Sequence, residues 1–250
     1  MRTTWQPDVS VRPHRLDDSA TLDPERVAAF RDYLEEEYAG PYVEGWGTTE
    51  ILRMVRDFIP AGRRLDVGSG TAALFWILAA DAGIRTTATD VEPEALHVLR
   101  DFLSSPRDLP PCYAEAAGLF GRSDEHAQSL RDSIEDYVVF NALKEWPEEF
   151  RRGEYDSVTA FGCFAIAGSR TAYQRCFARA LPALKPGGRL VGADWIRHPG
   201  LQQRDYSFIG VEILRAIGAA LGLEVMHLST VSILDHDTYG EVVLWAFEKH

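Results

Sequence analysis

The sequence is short of cysteine, of positive charge and of long apolar runs, and each shortage excludes a class of protein. Its three cysteines (Cys112, Cys163 and Cys176) form no Cys-x-x-Cys pair, which argues against a disulfide framework and a zinc knuckle and fits a reducing cytoplasm. Lysine and arginine number 26 against 38 aspartates and glutamates. The resulting net charge of −12 argues against nucleic acid or an anionic membrane as the partner.

No apolar run reaches the ~18 residues of a membrane span, and Pro7 and charged residues stand where a signal peptide needs an apolar stretch. We therefore expect a cytoplasmic protein that acts on a small molecule. The oligomeric state stays unknown at this stage. A chain of 250 residues is long enough for one α/β domain with accessory helices.

A glycine turn lies at the centre of the most informative stretch, Arg64–Ala80, which reads RLDVGSGTAALFWILAA. A short apolar strand ends at Val67, the turn occupies Gly68–Gly70, and an apolar helix is predicted from near Ala72. A strand, a glycine turn and a helix in this order are typical of a nucleotide cofactor site. The glycines let the backbone approach a ligand, and the helix N-terminus would add unpaired N–H groups and a positive dipole end.

Two carboxylates bear on which cofactor binds there. Asp66 precedes the turn, where a carboxylate would repel a pyrophosphate and attract the ammonium of a methionine-like tail, which favours S-adenosylmethionine over NAD. Taken alone, the turn also fits the G-x-G-x-x-A pattern of dehydrogenases. Asp90 ends the next predicted strand, ~20 residues on, where it can accept both ribose hydroxyls. The alternative for Asp90 is a cap on the following helix.

The remaining pattern predicts the fold. Asp23 can cap a first helix that begins with Pro24, a second helix runs from about Thr48 to Ile59, and later strands end near Asn141, Phe161 and Asp194. The last two strands have no helix between them, which implies an antiparallel hairpin at one edge of the sheet. We expect an α/β, doubly wound, Rossmann-like sheet of seven strands, mostly parallel with an antiparallel C-terminal hairpin, capped by the N-terminal helices.

The same pattern predicts two regions. Residues 1–60 would form an N-terminal arm and helical cap, and residues 61–250 an S-adenosylmethionine-binding core with an insertion near 104–136. An irregular insertion of this length in a compact domain favours a functional role, and a plain surface flap is the alternative.

The sequence resembles a known group of enzymes. LDVGSG, the ATD of the second strand, YDSV and LKPGGRLV resemble class I S-adenosylmethionine-dependent methyltransferases. RDYLEEEYAG ahead of the core, together with the insertion, resembles the nicotinamide, phenylethanolamine and thioether (indolethylamine) N-methyltransferase family. The resemblance covers Asp23 to Lys249 and implies S-adenosylmethionine as the cofactor.

The resemblance implies roles for particular residues. Tyr33 and Tyr38 would close over the methionine end of the cofactor; the alternative is a packing pair, although a five-residue spacing does not place both on one helix face. Asn141 would accept a hydrogen bond from the adenine amino group, and Ala142 would offer backbone. We expect the cofactor to contact Tyr33, Tyr38, Asp66, Gly68, Ser69, Gly70, Asp90, Val91, Asn141, Ala142 and Phe161.

Several positions depart from the family pattern. Ala95 and Ala165 stand where the family has an asparagine and a carboxylate, and Ala72–Ala73 replace an aromatic residue. In DWIRHPG, Asp194 and His198 are the polar groups expected to face the substrate, so the substrate is not expected to be nicotinamide or a catecholamine.

The predicted function is methyl transfer to a nitrogen of a small amine or heteroaromatic molecule. One alternative is an O-methyltransferase that uses His198 as its base, and another is a non-catalytic S-adenosylmethionine-binding protein. His198 can equally be a solvated loop histidine. Asp194 could orient a cationic or amide substrate. We interpret Asp235-His236-Asp237 as a surface turn and predict no metal, because adjacent side chains point in different directions.

Overall fold

The computed structural model describes residues 11–17, 21–201 and 206–250, and a mixed sheet runs through the middle of them. Its strands are β1 (His14–Arg15), β2 (Gly62–Val67), β3 (Ile84–Asp90), β4 (Ile134–Val139), β5 (Tyr155–Phe161), β6 (Leu184–Arg197), β7 (Leu223–Ser232) and β8 (Tyr239–Lys249). They lie side by side in the order β1-β4-β3-β2-β5-β6-β8-β7. The predicted N-terminal arm falls partly on residues 1–10 and 18–20, which lie outside the described residues.

Strand directions confirm the predicted fold class. The strands β4, β3, β2, β5 and β6 are parallel neighbours, while β8 is antiparallel to both β6 and β7. The predicted number of seven strands is wrong, because β1 pairs antiparallel with β4 and makes an eighth. This strand has two residues, both exposed, and is too short and too polar to produce an alternating apolar pattern.

Helices cover both faces of the sheet. They are α1 (Pro24–Tyr38), α2 (Thr48–Phe58), α3 (Pro93–Ser104), α4 (Pro111–Gly118), α5 (Asp124–Asp132), α6 (Arg170–Ala180) and α7 (Val211–Leu221). Asp23 caps α1 as predicted, since its carboxylate accepts the N–H of Glu25 at 2.9 Å. Two hydrophobic clusters lie on opposite faces of the sheet, and successive residues of β8 belong to different ones. Leu244 belongs to the cluster that includes α2 to α5, and Trp245 to the cluster that includes α6 and α7.

The segment that follows the glycine turn is not the predicted α-helix. Only Phe75–Ile77 forms a short 3-10 helix, and most of the hydrogen bonds around it join residues three apart, as from the N–H of Ala80 to the carbonyl of Ile77 at 2.9 Å. Every residue from Ala72 to Ala80 is buried. Because the segment has no exposed face, its apolar pattern could not distinguish an α-helix from this tighter winding. The expected α-helix N-terminus is therefore absent from the turn.

The insertion packs into the core. Its two helices, α4 and α5, lie on the same face of the sheet as α1 to α3. Tyr113 of α4 is fully buried, with its ring centroid 5.4 Å from that of Phe75 and 6.2 Å from that of Tyr38. None of the helices in the described parts of the chain is long and apolar enough to cross a membrane.

Gly192 of β6 provides a test of this packing. A Cβ at this position would lie 2.2 Å from the carbonyl oxygen of Ala160 and 2.4 Å from the ring of Trp245. We expect Gly192→Ala to lower the free energy of unfolding in urea by about 3 kcal/mol, because neither neighbour can move without disturbing the sheet. The control Gly168→Ala has nothing within 4 Å and should stay within about 0.5 kcal/mol of the parent. Equal stability of the two variants would contradict this packing.

Candidate functional site

A cavity of about 380 Å³ opens at the carboxyl ends of the parallel strands. Its size falls within the range of roughly 300–1,000 Å³ that is typical of small-molecule sites. It is enclosed mainly by the loops after β2 to β5, the α1–α2 region and the β7–β8 connection, with Cys112 of α4 and Trp195 of β6 completing the lining. The lining residues are Tyr33, Glu37, Tyr38, Pro41, Tyr42, Val43, Trp46, Thr48, Gly68, Ser69, Gly70, Thr71, Ala72, Phe75, Trp76, Asp90, Val91, Cys112, Phe140, Asn141, Ala142, Phe161, Gly162, Cys163, Ile166, Trp195, His236 and Tyr239.

The glycine turn forms part of this lining and is tightly constrained. Gly68 and Gly70 have φ angles of +70° and +52°, a region that favours glycine. A Cβ on Gly68 would lie 2.6 Å from that of Cys163, so the loop after β5 approaches the turn closely. The Ser69 hydroxyl donates to the Asp66 carboxylate at 2.7 Å and accepts the Thr89 N–H at 3.0 Å. The turn is therefore clamped between β2 and β3.

Asp66 bonds to the glycine turn from the interior of the protein and does not line the cavity. Its carboxylate is buried, accepts the hydroxyls of Ser69 and Thr159 at 2.7 and 2.5 Å, and pairs with the Arg64 guanidinium at 2.9 Å. The carboxylate bonds to the turn from inside the protein, and the expectation that it meets the ammonium of a bound cofactor is therefore corrected. Strand alternation explains the difference, because Asp66 and Arg64 share one face of β2 and both point into the protein.

Asp90 lies at the end of β3 and borders the cavity, as predicted. One carboxylate oxygen accepts the N–H of Gly70 at 2.8 Å and the other accepts the N–H of Glu92 at 3.0 Å. Each oxygen keeps a second lone pair for a ligand. Asp90 thus joins the turn to the start of α3, although the N-cap of that helix is Glu92. Desolvation by the surrounding protein raises the pKa of Asp90 to about 6.

The other predicted cofactor residues also reach the cavity. Val91, Asn141, Ala142 and Phe161 all belong to its lining, at the ends of β3, β4 and β5. The side-chain oxygen of Asn141 accepts the N–H of Leu143 at 2.9 Å, and the Ala142 carbonyl accepts the Trp146 indole N–H at 2.9 Å. The Ala142 carbonyl is therefore already engaged within the protein.

Tyr33 and Tyr38 lie together at the cavity wall. Their ring centroids are 6.2 Å apart in an edge-on contact, and Tyr38 also contacts the ring of Phe75 at 5.1 Å. The expectation that a five-residue spacing keeps the two residues off one helix face, and so counts against a packing pair, is wrong, because the two rings contact each other. Burial raises the pKa of Tyr38 well above its usual value, and its hydroxyl donates a hydrogen bond to the hydroxyl of the half-exposed Tyr33. The Tyr33 hydroxyl therefore keeps its own proton for a ligand.

Aromatic side chains that sequence reasoning did not identify complete the enclosure. Trp76 stacks on Phe161 with ring centroids 5.4 Å apart and lies 5.5 Å from Trp195. Tyr42, Trp46 and Tyr239 add further walls from the α1–α2 region and from β8. Of these residues, only Trp195 could have been found from the sequence. Neighbouring side chains of a strand point to opposite faces, so Trp195 faces the cavity if Asp194 faces away from it.

Asp194 faces away from the cavity, and its predicted contact with the substrate is corrected. The carboxylate is fully buried among α6 and β8, where it accepts the Tyr173 hydroxyl at 2.6 Å, the Trp245 indole N–H at 2.9 Å and the Ala165 N–H at 3.0 Å. Burial raises its pKa to about 6, against the opposing effect of these donors. Asp194 thus joins α6, β8 and the segment after β5 on one face of the sheet as a structural acceptor.

His198 also lies outside the lining, so its predicted contact with the substrate as a base is corrected. Its Nε2 is 2.8 Å from the carbonyl oxygen of His236 and must donate to it, because a carbonyl only accepts. The backbone N–H of His198 donates to the Thr238 carbonyl at 3.1 Å. His198 therefore holds the β7–β8 connection in place. The imidazole that borders the cavity is His236, in the segment interpreted as a surface turn.

The charges around the cavity are acidic. Glu37 and Asp90 carry carboxylates, and among the residues that the structure describes the lining includes no lysine or arginine. An anionic ligand group would find only neutral donors, such as tyrosine hydroxyls and backbone N–H groups. A cationic or neutral molecule suits these surroundings better.

Comparison with known proteins shows the fold and not a family. No protein-family model matches the sequence, and no curated protein is significantly similar to it. Many solved structures do share the fold. One is a protein described as a methyltransferase in complex with the Haloferax volcanii Trm112 methyltransferase activator, at 16% identity and a TM-score of 0.57, covering 92% of this chain and 100% of the other.

Two further neighbours show how widely the fold is used. The N-methyltransferase NodS of Bradyrhizobium japonicum is 17% identical, with a TM-score of 0.51 over 81% of this chain and 93% of that chain. The [4+2]-cyclase SpnF is 18% identical, with a TM-score of 0.55 over 89% of this chain and 92% of that chain. Several of the structural neighbours are described as methyltransferases, and the chain shares their fold. At these identities the likeness extends to the fold alone.

The structural role of Asp194 can be tested. We expect Asp194→Ala to lower the free energy of unfolding by at least about 3 kcal/mol, because three buried donors lose their acceptor at roughly 1–3 kcal/mol each. Tyr173→Phe removes one of these donors and should cost about 1 kcal/mol. Urea denaturation measures both. An Asp194→Ala variant as stable as the parent would contradict this role.

Proposed function

We propose that the protein is an S-adenosylmethionine-dependent methyltransferase that methylates a nitrogen of a small amine or heteroaromatic molecule. One observation carries the proposal: the glycine turn and Asp90 meet at the carboxyl ends of the parallel strands, beneath an aromatic enclosure whose described residues include no lysine or arginine. Ligands of open α/β sheets bind at this edge.

The residues around the cavity fit S-adenosylmethionine. Asp90 offers two carboxylate oxygens to the ribose hydroxyls, and the side-chain amide of Asn141, which also lines the cavity, can bond to the adenine amino group. Gly68 and Gly70 leave room for the methionine tail, and the Tyr33 hydroxyl, which accepts from Tyr38, can donate to its carboxylate. The lack of lysine and arginine in the described lining suits a cationic sulfonium, whereas a dinucleotide pyrophosphate would lack a partner.

The chemistry asked of the protein is mainly positioning. When bound, the cofactor supplies an electrophilic methyl group on a sulfonium, and transfer is an in-line displacement. The aromatic walls from Trp76, Phe161 and Trp195 would hold the acceptor in line and exclude water. Aromatic faces also attract cations and other aromatic rings.

A nitrogen acceptor fits the site better than an oxygen acceptor. A neutral amine or heteroaromatic nitrogen needs no strong base, whereas a hydroxyl does. The base proposed for a hydroxyl, His198, is bonded to the β7–β8 connection and does not border the cavity. The position of Tyr33 and Tyr38 supports the resemblance to the nicotinamide, phenylethanolamine and thioether N-methyltransferase family, which stays part of this proposal.

We also propose that residues 1–60 act as a cap on a core formed by residues 61–250. The described part of that cap supplies Tyr33, Tyr38, Tyr42 and Trp46 to the cavity wall. A cavity of about 380 Å³ that must hold both cofactor and acceptor favours a small-molecule acceptor.

A mass-spectrometric screen tests the function. Incubation with S-adenosylmethionine and a panel of amines, heteroaromatics and phenols should add one methyl mass to a nitrogen compound. Calorimetry with S-adenosylhomocysteine and NAD accompanies the screen. Failure to bind S-adenosylhomocysteine would overturn the proposal, binding without transfer would indicate a non-catalytic protein, and gain with phenols alone would favour the O-methyltransferase.

Asp90 generates a pH prediction for cofactor binding. If ribose hydroxyls donate to its carboxylate, only the ionised form binds well, and with a pKa of about 6 this form is lost as the pH falls through that value. We expect calorimetric affinity for S-adenosylhomocysteine to be constant above about pH 7 and to fall tenfold per pH unit well below 6.

Two variants control this measurement. Asp90→Asn should bind S-adenosylhomocysteine about 10- to 100-fold more weakly at pH 7.5 and lose most of the pH dependence, because hydrogen bonds to a charged group are replaced by neutral ones. Asp108→Asn, an exposed carboxylate outside the cavity lining, should keep the parent profile. A parent affinity that does not change between pH 5 and 8 would exclude this role for Asp90.

A further inference from the structure

The β7–β8 connection presents one imidazole to the cavity, that of His236. Its Nδ1 lies 3.0 Å from the backbone nitrogen of Thr238 and 3.3 Å from that of Tyr239, both of which donate N–H bonds to it. A ring nitrogen that accepts carries no proton. In the neutral ring the proton is therefore on Nε2, at the opposite edge of the imidazole.

The ring is held in this orientation by its surroundings. Its centroid lies 4.8 Å from that of Trp46, in an edge-on contact, and 5.2 Å from that of Tyr239. The loop itself is fastened at two points: His198 donates to the His236 carbonyl at 2.8 Å, and the Leu234 N–H donates to the Gly45 carbonyl at 2.9 Å. The α1–α2 region and the β7–β8 connection thus fix the imidazole between them.

The Nε2–H of His236 has no hydrogen-bond acceptor among the residues that the structure describes, and the ring borders the cavity. A polar donor in this position is satisfied by water or by a ligand. We propose that His236 is a substrate-positioning residue that donates its Nε2–H to a hydrogen-bond-accepting atom of the methyl acceptor. This inference rests on the proposed function and deepens it.

The proposal defines a substrate class. The rings of Trp46 and Tyr239 contact that of His236, and Trp76 and Trp195 line the same cavity. Aromatic walls of this kind pack best against a flat aromatic molecule. That molecule carries a ring nitrogen or a carbonyl or ether oxygen at the end that meets His236. Because Nε2 already holds its proton, His236 acts here as a donor and takes no proton from the substrate.

Two substitutions separate the donor from the loop contacts. In His236→Asn the side-chain oxygen can accept the Thr238 and Tyr239 N–H groups in place of Nδ1, but the shorter amide does not reach the Nε2 position. In His236→Gln the longer side chain carries its N–H group to about the place of Nε2. A structural role alone would therefore favour Asn, and the proposed positioning role favours Gln.

The test uses protein saturated with S-adenosylhomocysteine and the isosteric pair quinoline and naphthalene, which differ by one hydrogen-bond-accepting ring nitrogen. NMR titration should show that the parent protein binds quinoline about 2- to 10-fold more tightly than naphthalene. His236→Asn should bind the two equally, with unchanged affinity for S-adenosylhomocysteine. His236→Gln should keep part of the preference.

A second measurement reads the ring directly. A ¹H–¹⁵N spectrum of the histidine side chains, assigned by the signal lost in His236→Asn, should show a protonated Nε2 and an unprotonated Nδ1. A protonated Nδ1, weak binding of both probes, or equal binding of the two probes by the parent would overturn the inference. Each of these results is distinct from a failure to bind S-adenosylhomocysteine, which would overturn the proposed function.

Discussion

The buried carboxylate of Asp66 is the interaction on which the geometry of the cavity depends. It binds the hydroxyl of Ser69 within the glycine turn and that of Thr159 on β5, so that one side chain joins the turn to the centre of the sheet. Ser69 in turn accepts the N–H of Thr89. The turn is thereby held rigid where a cofactor would touch its backbone.

The remaining walls come from distant parts of the chain, and strand alternation decides which side chains face the cavity. On β6, Asp194 points toward α6 and β8, and the next residue, Trp195, points into the cavity. His198 fastens the β7–β8 connection, and that connection brings His236 to the same space. A displacement reaction needs orientation and the exclusion of water more than acid–base groups, and a rigid aromatic enclosure supplies both.

Local signals predicted the parts of the molecule that depend on neighbouring residues. The Asp23 cap, the bounds of α2, the strand that ends at Asp90 and the antiparallel hairpin are all observed. The errors have physical causes. Residues 72–80 are buried on every side, so their apolar pattern has no helical period. The strand β1 has only two residues and is too short to show the alternation of a strand. The roles of the predicted cofactor residues stay predictions, although all of them except Asp66 line the cavity.

By itself the sequence determined the fold class, the glycine turn and the acidic end of β3, because these depend on residues close together in the chain. Only the tertiary structure decided which polar groups meet at the cavity. Residue type alone predicted that three side chains would contact cofactor or substrate: Asp66, Asp194 and His198. In the structure each of them instead bonds to residues far away in the sequence. His236 reaches the cavity because the β7–β8 connection folds against Trp46 of the α1–α2 region, a contact between segments that no local pattern records.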